Sequence, residues 1–151
     1  YNYDVIDGVR YEIDLSEPAR YDKDGKLVNE GANRIKNLTF NGQPIDMNAK
    51  FAVATNNYRA GGGGNFPGIK EDKVVLVAPD TNRDVLVRYI LAEGTINPTA
   101  DDNWRFKAME GTSAIFESGP QGRKFLATIK GARLEDAGDG ADGYAKYRLL
   151  L

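Results

Sequence analysis

A tyrosine close to four consecutive glycines is the feature of this sequence with the clearest chemical potential. Tyr58 stands three residues before the run 61–64, in which every residue is glycine. Glycine has no Cβ and therefore lets a ligand approach the backbone closely. A tyrosine ring beside such a backbone is suited to stacking on a flat ligand, and base–aromatic stacking contributes about 1–3 kcal/mol per base. The alternative is that Tyr58 only caps the edge of a sheet.

The same glycine run lacks the signature of a phosphate-binding loop. A glycine-rich turn holds a phosphate on its amides when a helix begins directly after it. Here Asn65 and Pro67 follow, no Lys-Ser or Lys-Thr pair is present, and the GxGxxG spacing is missing. The run therefore favours close approach of a ligand over phosphate binding.

Two acidic segments carry carboxylates and are candidates for calcium binding. Asp22 and Asp24 resemble the start of a calcium loop, but Lys26 and Asn33 occupy positions that require an oxygen ligand and a bidentate glutamate. We predict a hairpin turn instead, with Asp24 and Gly25 at its tip. The second segment is interpreted as a solvated loop, with a weak surface calcium site as the alternative; its carboxylates are Glu135, Asp136, Asp139 and Asp142.

Composition excludes several kinds of active site. The 151 residues include no cysteine and no histidine, so disulfides, thiolate nucleophiles, zinc fingers and Ser-His-Asp triads are excluded. We assign no catalytic residue, no metal site and no cofactor within the chain. The net charge of −2 argues against a basic groove for polymeric nucleic acid. No apolar run approaches the roughly 18 residues of a membrane span.

Strands predicted from apolar alternation must position these groups. Asn41 and Gly42 predict a tight hairpin turn between two of them. Trp104 is interpreted as a core residue and Arg105 as the partner of a nearby acid. The segments with strand patterns are residues 9–15, 34–41, 104–109, 113–117 and 144–151.

Two further segments are mostly apolar and predict buried strands. Residues 50–57 are predicted as a central strand covered on both faces, with Tyr58 at its exit. Residues 73–78 are predicted as a second short buried strand, which Pro79 ends.

Helices are predicted at two places. Thr81 and Asp84 have the spacing of a capping box before an apolar helical face, which predicts a helix over residues 82–93 with Gly94 as its C-cap. A shorter helix is predicted over residues 121–129. Hairpin strands with separated helices favour an α+β fold, with a mixed sheet and a few packed helices, over a βαβ-wound sheet.

Several stretches resemble the C-terminal domain of the 5′-nucleotidase family. The motif Asn-Asn-Tyr-Arg-Ala-Gly-Gly lies within the most specific stretch, and the resemblance runs from Tyr1 to about Lys107. It implies that residues 1–151 form one partial domain of this type. The matching stretches are residues 2–9, 34–46, 51–63, 82–86 and 101–105.

The resemblance implies a function shared with a second domain. Family members have an N-terminal metallophosphoesterase domain that binds two divalent metal ions through His, Asp and Asn. That domain is absent here, so we expect this fragment alone to lack phosphoesterase activity. Its expected partners are a nucleotide or nucleoside and its own N-terminal catalytic domain, and its expected location is the periplasm or the cell surface.

The resemblance also implies roles for particular residues. In this family the base lies between two aromatic rings, of which one stands where Tyr58 stands and the other lies upstream of Tyr1. Asn57 and Arg59 are expected to flank the base with polar contacts. The glycines expected to let the base approach are Gly61, Gly62, Gly63 and Gly64.

Gly64 separates the branches of the family. The 5′-nucleotidase branch has an aspartate at this position, which binds the ribose 2′ and 3′ hydroxyls and would repel a phosphate there. Gly64 therefore favours hydrolysis of 2′,3′-cyclic nucleotides and 3′-nucleotides. Two alternatives stay open: a 5′-nucleotidase or UDP-sugar hydrolase, and a non-catalytic nucleotide-binding or surface module.

Overall fold

The chain divides into two units, Tyr1–Arg105 and Phe106–Leu151, which are described here separately. The structure is a computed structural model that describes residues 3–151. Tyr1 and Asn2, where the family resemblance begins, lie outside the described residues. The prediction of one domain over residues 1–151 stays a prediction.

A four-stranded sheet organises the first unit. Its strands are β1 (Arg10–Ile13), β2 (Ile35–Phe40), β3 (Gln43–Pro44) and β4 (Trp104–Phe106). They lie in the order β3-β2-β1-β4, and β2 pairs antiparallel with both β1 and β3. The three predicted strand segments in this region therefore form neighbouring strands of one sheet.

Both predicted hairpin turns of the first unit are confirmed. Asn41 and Gly42 have φ values of 50° and 76° and connect the paired residues Phe40 and Gln43. Two successive residues with positive φ match the right-handed twist of a tight hairpin. The predicted turn at Gly25, with φ of 76°, lies within the antiparallel bridge between residues 21 and 27.

Side chains around β1 stabilise this sheet. Tyr11 is buried, and the Trp104 ring is half-buried with its centroid 5.8 Å from that of Tyr3. The predicted pairing of Arg105 with an acid is confirmed, because its Nε donates to Glu12 Oε1 at 2.7 Å. This contact links β4 to β1.

The predicted helix α2 (Asn82–Glu93) is confirmed at both ends. Thr81 Oγ1 accepts from the Asp84 amide at 3.2 Å and donates to the Asp84 carboxylate at 2.7 Å. Gly94 ends the helix with φ of 72° and donates its amide to Ile90 O. The other helical segments of the first unit are α1 (Asn57–Ala60) and a 3₁₀ helix, Glu71–Lys73.

The predictions of buried strands over residues 50–57 and 73–78 are wrong. Neither segment forms a strand, and Val53, Val75 and Val77 are exposed. A buried strand needs hydrogen-bonding neighbours and covered faces, and no described strand pairs with either segment. Tyr58 accordingly lies in α1 and not at the exit of a strand.

The second unit contains a three-stranded antiparallel sheet. β5 (Ser113–Ser118) and β6 (Arg133–Asp139) flank the central β7 (Ala145–Leu150). The predicted strands at β5 and β7 are confirmed, and the predicted short helix forms as a 3₁₀ helix, Pro120–Thr128. These elements, with the strands and helices of the first unit, confirm the α+β class.

Tyr147 is the main core side chain of the second unit. It is buried on β7, and its ring stacks on that of Phe116 with centroids 5.6 Å apart. Its hydroxyl donates to Gly119 O at 2.7 Å. The hydroxyl therefore ties the central strand to the start of the 3₁₀ helix.

The acidic segment near the C-terminus is not the predicted solvated loop. Glu135, Asp136 and Asp139 belong to strand β6. Arg123 pairs with Asp136 at 2.9 Å and with Asp139 at 2.7 Å, and Arg148 pairs with Glu135 at 3.5 Å. Arginine side chains therefore neutralise carboxylates of the segment for which a weak calcium site was the alternative.

We predict that protonation of Asp136 weakens the second unit in acid. The Gly138 amide and then Arg123 hold the pKa of Asp136 below its usual range, against the opposite effect of burial. A carboxylate with a lowered folded-state pKa stabilises the fold above the unfolded pKa, and the stabilisation is lost as pH falls through the folded value. Urea unfolding followed by NMR at β6 and β7 should therefore need less denaturant below about pH 4.

Asp136→Asn keeps an oxygen acceptor for the Gly138 amide and removes the charge. In this variant the urea concentration needed for unfolding should depend less on pH in acid. Asp142→Asn serves as a charge control outside the Arg123 contacts. Equal profiles for wild type and Asp136→Asn would contradict the assignment.

Candidate functional site

The glycine run folds back onto the one-turn helix α1. The side chain of Asn56 caps the helix by accepting from the Arg59 amide at 2.9 Å. Gly61 donates its amide to Asn57 O at 3.0 Å, and Gly63 donates to Tyr58 O at 2.8 Å. The helix and the run form one tight turn as a result.

Glycine is required at two kinds of position in this turn. Gly62 and Gly64 have φ values of 91° and 81°, in the left-handed region that favours glycine. Gly63 is required for space, because a Cβ there would lie 2.5 Å from Tyr58 O and 2.6 Å from two Tyr58 ring atoms. The Tyr58 ring thus rests directly on the bare backbone of Gly63.

Tyr58 nevertheless remains open to solvent, with 58% of its surface exposed. Its neighbour Asn57 is also exposed. Within the same turn, Gly62, Gly63 and Gly64 are half-buried. A ring that is supported by backbone and open to solvent can stack on a flat group with little loss of side-chain freedom. The structure therefore brings Tyr58, Asn57 and the glycines together in one turn.

Arg59 lies inside this turn, with only 8% of its surface exposed. Its Nε and Nη2 donate to the two carboxylate oxygens of Asp4 at 2.6 and 2.7 Å, and its Nη1 donates to Gly63 O at 2.9 Å. The guanidinium carbon also lies 4.5 Å from the Phe66 ring centroid and 5.4 Å from that of Tyr58. Hydrogen bonding to Asp4 raises the pKa of Arg59 above its ordinary value.

Asp4 and Phe66 belong to this arrangement, although sequence reasoning assigned neither a role. Asp4 stands 55 positions before Arg59, so no spacing rule connects the two. Phe66 stands two positions after the last glycine of the run. The capping residue Asn56 had a readable signal, since an asparagine before a helical turn favours an N-cap.

Residues 3–151 contain no group of three or more Asp, Glu, His or Cys side chains that could hold a metal ion. Within the same residues, no helix is both long enough and apolar enough to cross a bilayer.

Comparison with known proteins finds a family model that matches the segment containing the turn. Residues 1–71 match the family model described as 5′-nucleotidase, C-terminal domain. The resemblance predicted from the sequence is confirmed. The matched residues include α1 and the glycine run, together with Asp4. No solved structure matches the chain.

Curated relatives match nearly the whole chain. A protein of Haemophilus influenzae named 2′,3′-cyclic-nucleotide 2′-phosphodiesterase/3′-nucleotidase is 44% identical over 160 residues, covering 100% of this chain and 24% of the relative. A protein of the same name from Salmonella typhimurium is 53% identical, covering 86% and 21%. A trifunctional nucleotide phosphoesterase of Bacillus subtilis is 43% identical, covering 99% and 10%.

These names belong to hydrolases, and the chain spans at most about a quarter of the length of each of these relatives.

We predict that Gly63→Ala displaces the Tyr58 ring. The added methyl group would overlap both the ring and the Tyr58 carbonyl, so the side chain must move or the turn must open. Large shifts of the Tyr58 aromatic signals in NMR spectra would report this displacement. Gly31→Ala is the matched control, because its Cβ would meet nothing within 4 Å. Unchanged Tyr58 signals in Gly63→Ala would contradict the contact.

Proposed function

We propose that this chain is the nucleoside-binding part of a larger phosphoesterase, in which Tyr58 stacks on the base. The observation that carries the proposal is the exposed Tyr58 ring supported on Gly63. Such a ring offers a preformed apolar surface that costs little entropy on binding. Asn57, the exposed neighbour of Tyr58 in the same turn, would flank the base with a polar contact.

The pairing of Arg59 within the turn favours a neutral ligand group at Tyr58. Arg59 is paired with both oxygens of the Asp4 carboxylate, so its charge is balanced within the protein. A free guanidinium would attract a phosphate, whereas a paired and buried one does not. We therefore place the base at Tyr58 and the phosphate farther away.

We further propose that the whole protein hydrolyses 2′,3′-cyclic nucleotides and 3′-nucleotides. The names of the relatives from Haemophilus influenzae and Salmonella typhimurium support this substrate class. The family resemblance supports it too, because Gly64 has neither the charge nor the bulk of the aspartate that binds the ribose 2′ and 3′ hydroxyls in the 5′-nucleotidase branch.

The chemistry is assigned to a separate domain. Residues 3–151 offer no cluster of ligands for a metal, so we place two divalent metal ions in an N-terminal catalytic domain of a periplasmic or secreted protein. Hydrolysis in that domain would be an in-line attack of water on phosphorus, which two metal ions are suited to assist. The residues described here would bind and orient the nucleoside.

We predict that Tyr58→Ala weakens binding of adenosine to the 151-residue chain. Loss of a stacking partner removes about 1–3 kcal/mol, which corresponds to about a 5-fold to 150-fold loss of affinity. Isothermal titration calorimetry with wild type and variant measures the change, and Tyr58→Phe should retain most of the affinity.

Tyr89→Ala is the control for this prediction. Tyr89 is 56% exposed, against 58% for Tyr58, so both substitutions remove a similarly exposed ring. Equal losses in the two alanine variants, or no loss in either, would contradict base stacking on Tyr58.

A substitution at Gly64 tests the regiochemistry in the full-length protein. We expect hydrolysis of 3′-AMP to exceed that of 5′-AMP, and Gly64→Asp to weaken hydrolysis of 3′-AMP by charge repulsion. Gly64→Asn is the matched control, because asparagine has a similar size and also tolerates positive φ. Preference for 5′-AMP would favour the 5′-nucleotidase alternative, and no hydrolysis of either would favour a non-catalytic module.

A further inference from the structure

We infer that the Asp4–Arg59 ion pair is the positioning element that holds Tyr58 in its binding orientation, so that Arg59 supports the ligand site from beneath. This inference rests on the proposed function, because it assigns a supporting role toward the nucleoside proposed to stack on Tyr58. Arg59 is accordingly a positioning residue and not a direct ligand contact.

The first step is the connection from Asp4 to the glycine run. Asp4 fixes one edge of the Arg59 guanidinium through two hydrogen bonds of 2.6 and 2.7 Å. A bidentate contact sets the plane of the guanidinium as well as its distance. With that plane fixed, Nη1 donates to Gly63 O at 2.9 Å.

The second step is the connection from Gly63 to Tyr58. The Gly63 amide donates to Tyr58 O at 2.8 Å, and the Gly63 α-carbon lies against the Tyr58 ring so closely that no Cβ fits. Gly63 therefore transmits the position of the Arg59 guanidinium to both the backbone and the ring of Tyr58.

The third step is the dependence of Arg59 on its carboxylate. A guanidinium that is 8% exposed and lies 4.5 Å from the Phe66 ring centroid has little water to balance its charge. Removing the Asp4 carboxylate takes away the negative charge that faces Nε and Nη2 of Arg59, which favours movement of the side chain toward solvent. Its departure would break the hydrogen bond to Gly63 O and free the glycine run.

A second contact lies at the C-terminal end of the same run. A Cβ on Gly25 would lie within 3.3 Å of three atoms of Asn65, so the hairpin tip packs against the residue that follows the glycines. Gly25 also has φ of 76°. The hairpin tip therefore contacts the residue after the run, and Arg59 contacts the run itself at Gly63.

Asp4→Asn in the 151-residue chain tests the inference. It keeps the shape of the side chain and removes the charge, and we expect about a 5-fold to 10-fold loss of adenosine affinity by calorimetry, part of the stacking contribution. Asp4→Glu, which keeps the carboxylate, should retain most of the wild-type affinity.

Asp80→Asn is the matched control. Asp80 pairs with Arg88 and its side chain is 43% exposed, against 42% for Asp4. Because the Asp80–Arg88 pair is exposed on both sides, its loss should leave affinity unchanged. An equal affinity loss in Asp4→Asn and Asp80→Asn would overturn the inference.

A double-mutant cycle separates positioning from general destabilisation. If Asp4 acts through Tyr58, Asp4→Asn should cause no further loss of affinity in a Tyr58→Ala background. Independent, additive losses would overturn the inference and leave the proposed function intact.

NMR spectra recorded without ligand distinguish a failure of the positioning role from a failure of the proposed function. In Asp4→Asn the amide signals of Gly63 and Gly64 and the ring signals of Tyr58 should shift, while those of β5–β7 should not. If wild type fails to bind adenosine, the proposed function fails, and these shifts still decide whether Asp4 positions the turn. Their absence would overturn the positioning role.

Discussion

A guanidinium removed from water must be paired with a carboxylate, and this constraint organises the turn around Arg59. The partner is Asp4, 55 positions earlier in the chain, so satisfying one buried charge joins two distant segments of the first unit. Once fixed, Arg59 anchors Gly63, and Gly63 supports the ring of Tyr58. The exposed tyrosine is thus held through a guanidinium that is itself largely shielded from solvent.

Under the proposed function, this arrangement separates recognition from chemistry. The turn presents an open aromatic ring and a bare backbone, and the charge of Arg59 within it is neutralised by Asp4. Among residues 3–151 there is also no cluster able to hold a metal. A surface of this kind suits the uncharged part of a nucleotide. The curated relatives, which are at least about four times as long as the match, have ample chain for a catalytic domain.

Local signals in the sequence were sufficient for much of the fold. The capping box of Thr81 and Asp84 and the turn at Asn41 and Gly42 depend on neighbours a few residues away, and both formed as predicted. Segments that depend on distant partners were not predictable. The apolar segments 50–57 and 73–78 would form strands only if other strands paired with them. Strand β6 was not predicted, because its sequence does not show that Arg123 and Arg148 neutralise its acidic residues. The closeness of Tyr58 to the glycine run was predictable from the sequence, whereas its place in a helix and its support by Asp4 were not.

The most direct test is to locate a bound nucleoside relative to the Tyr58 ring. Adenosine added to the chain should give intermolecular nuclear Overhauser effects between the base protons H2 and H8 and the Tyr58 ring protons. The same spectra should show the ribose protons near the Gly63 and Gly64 amides. A bound adenosine whose base contacts lie elsewhere, with no effect at Tyr58, would contradict the account.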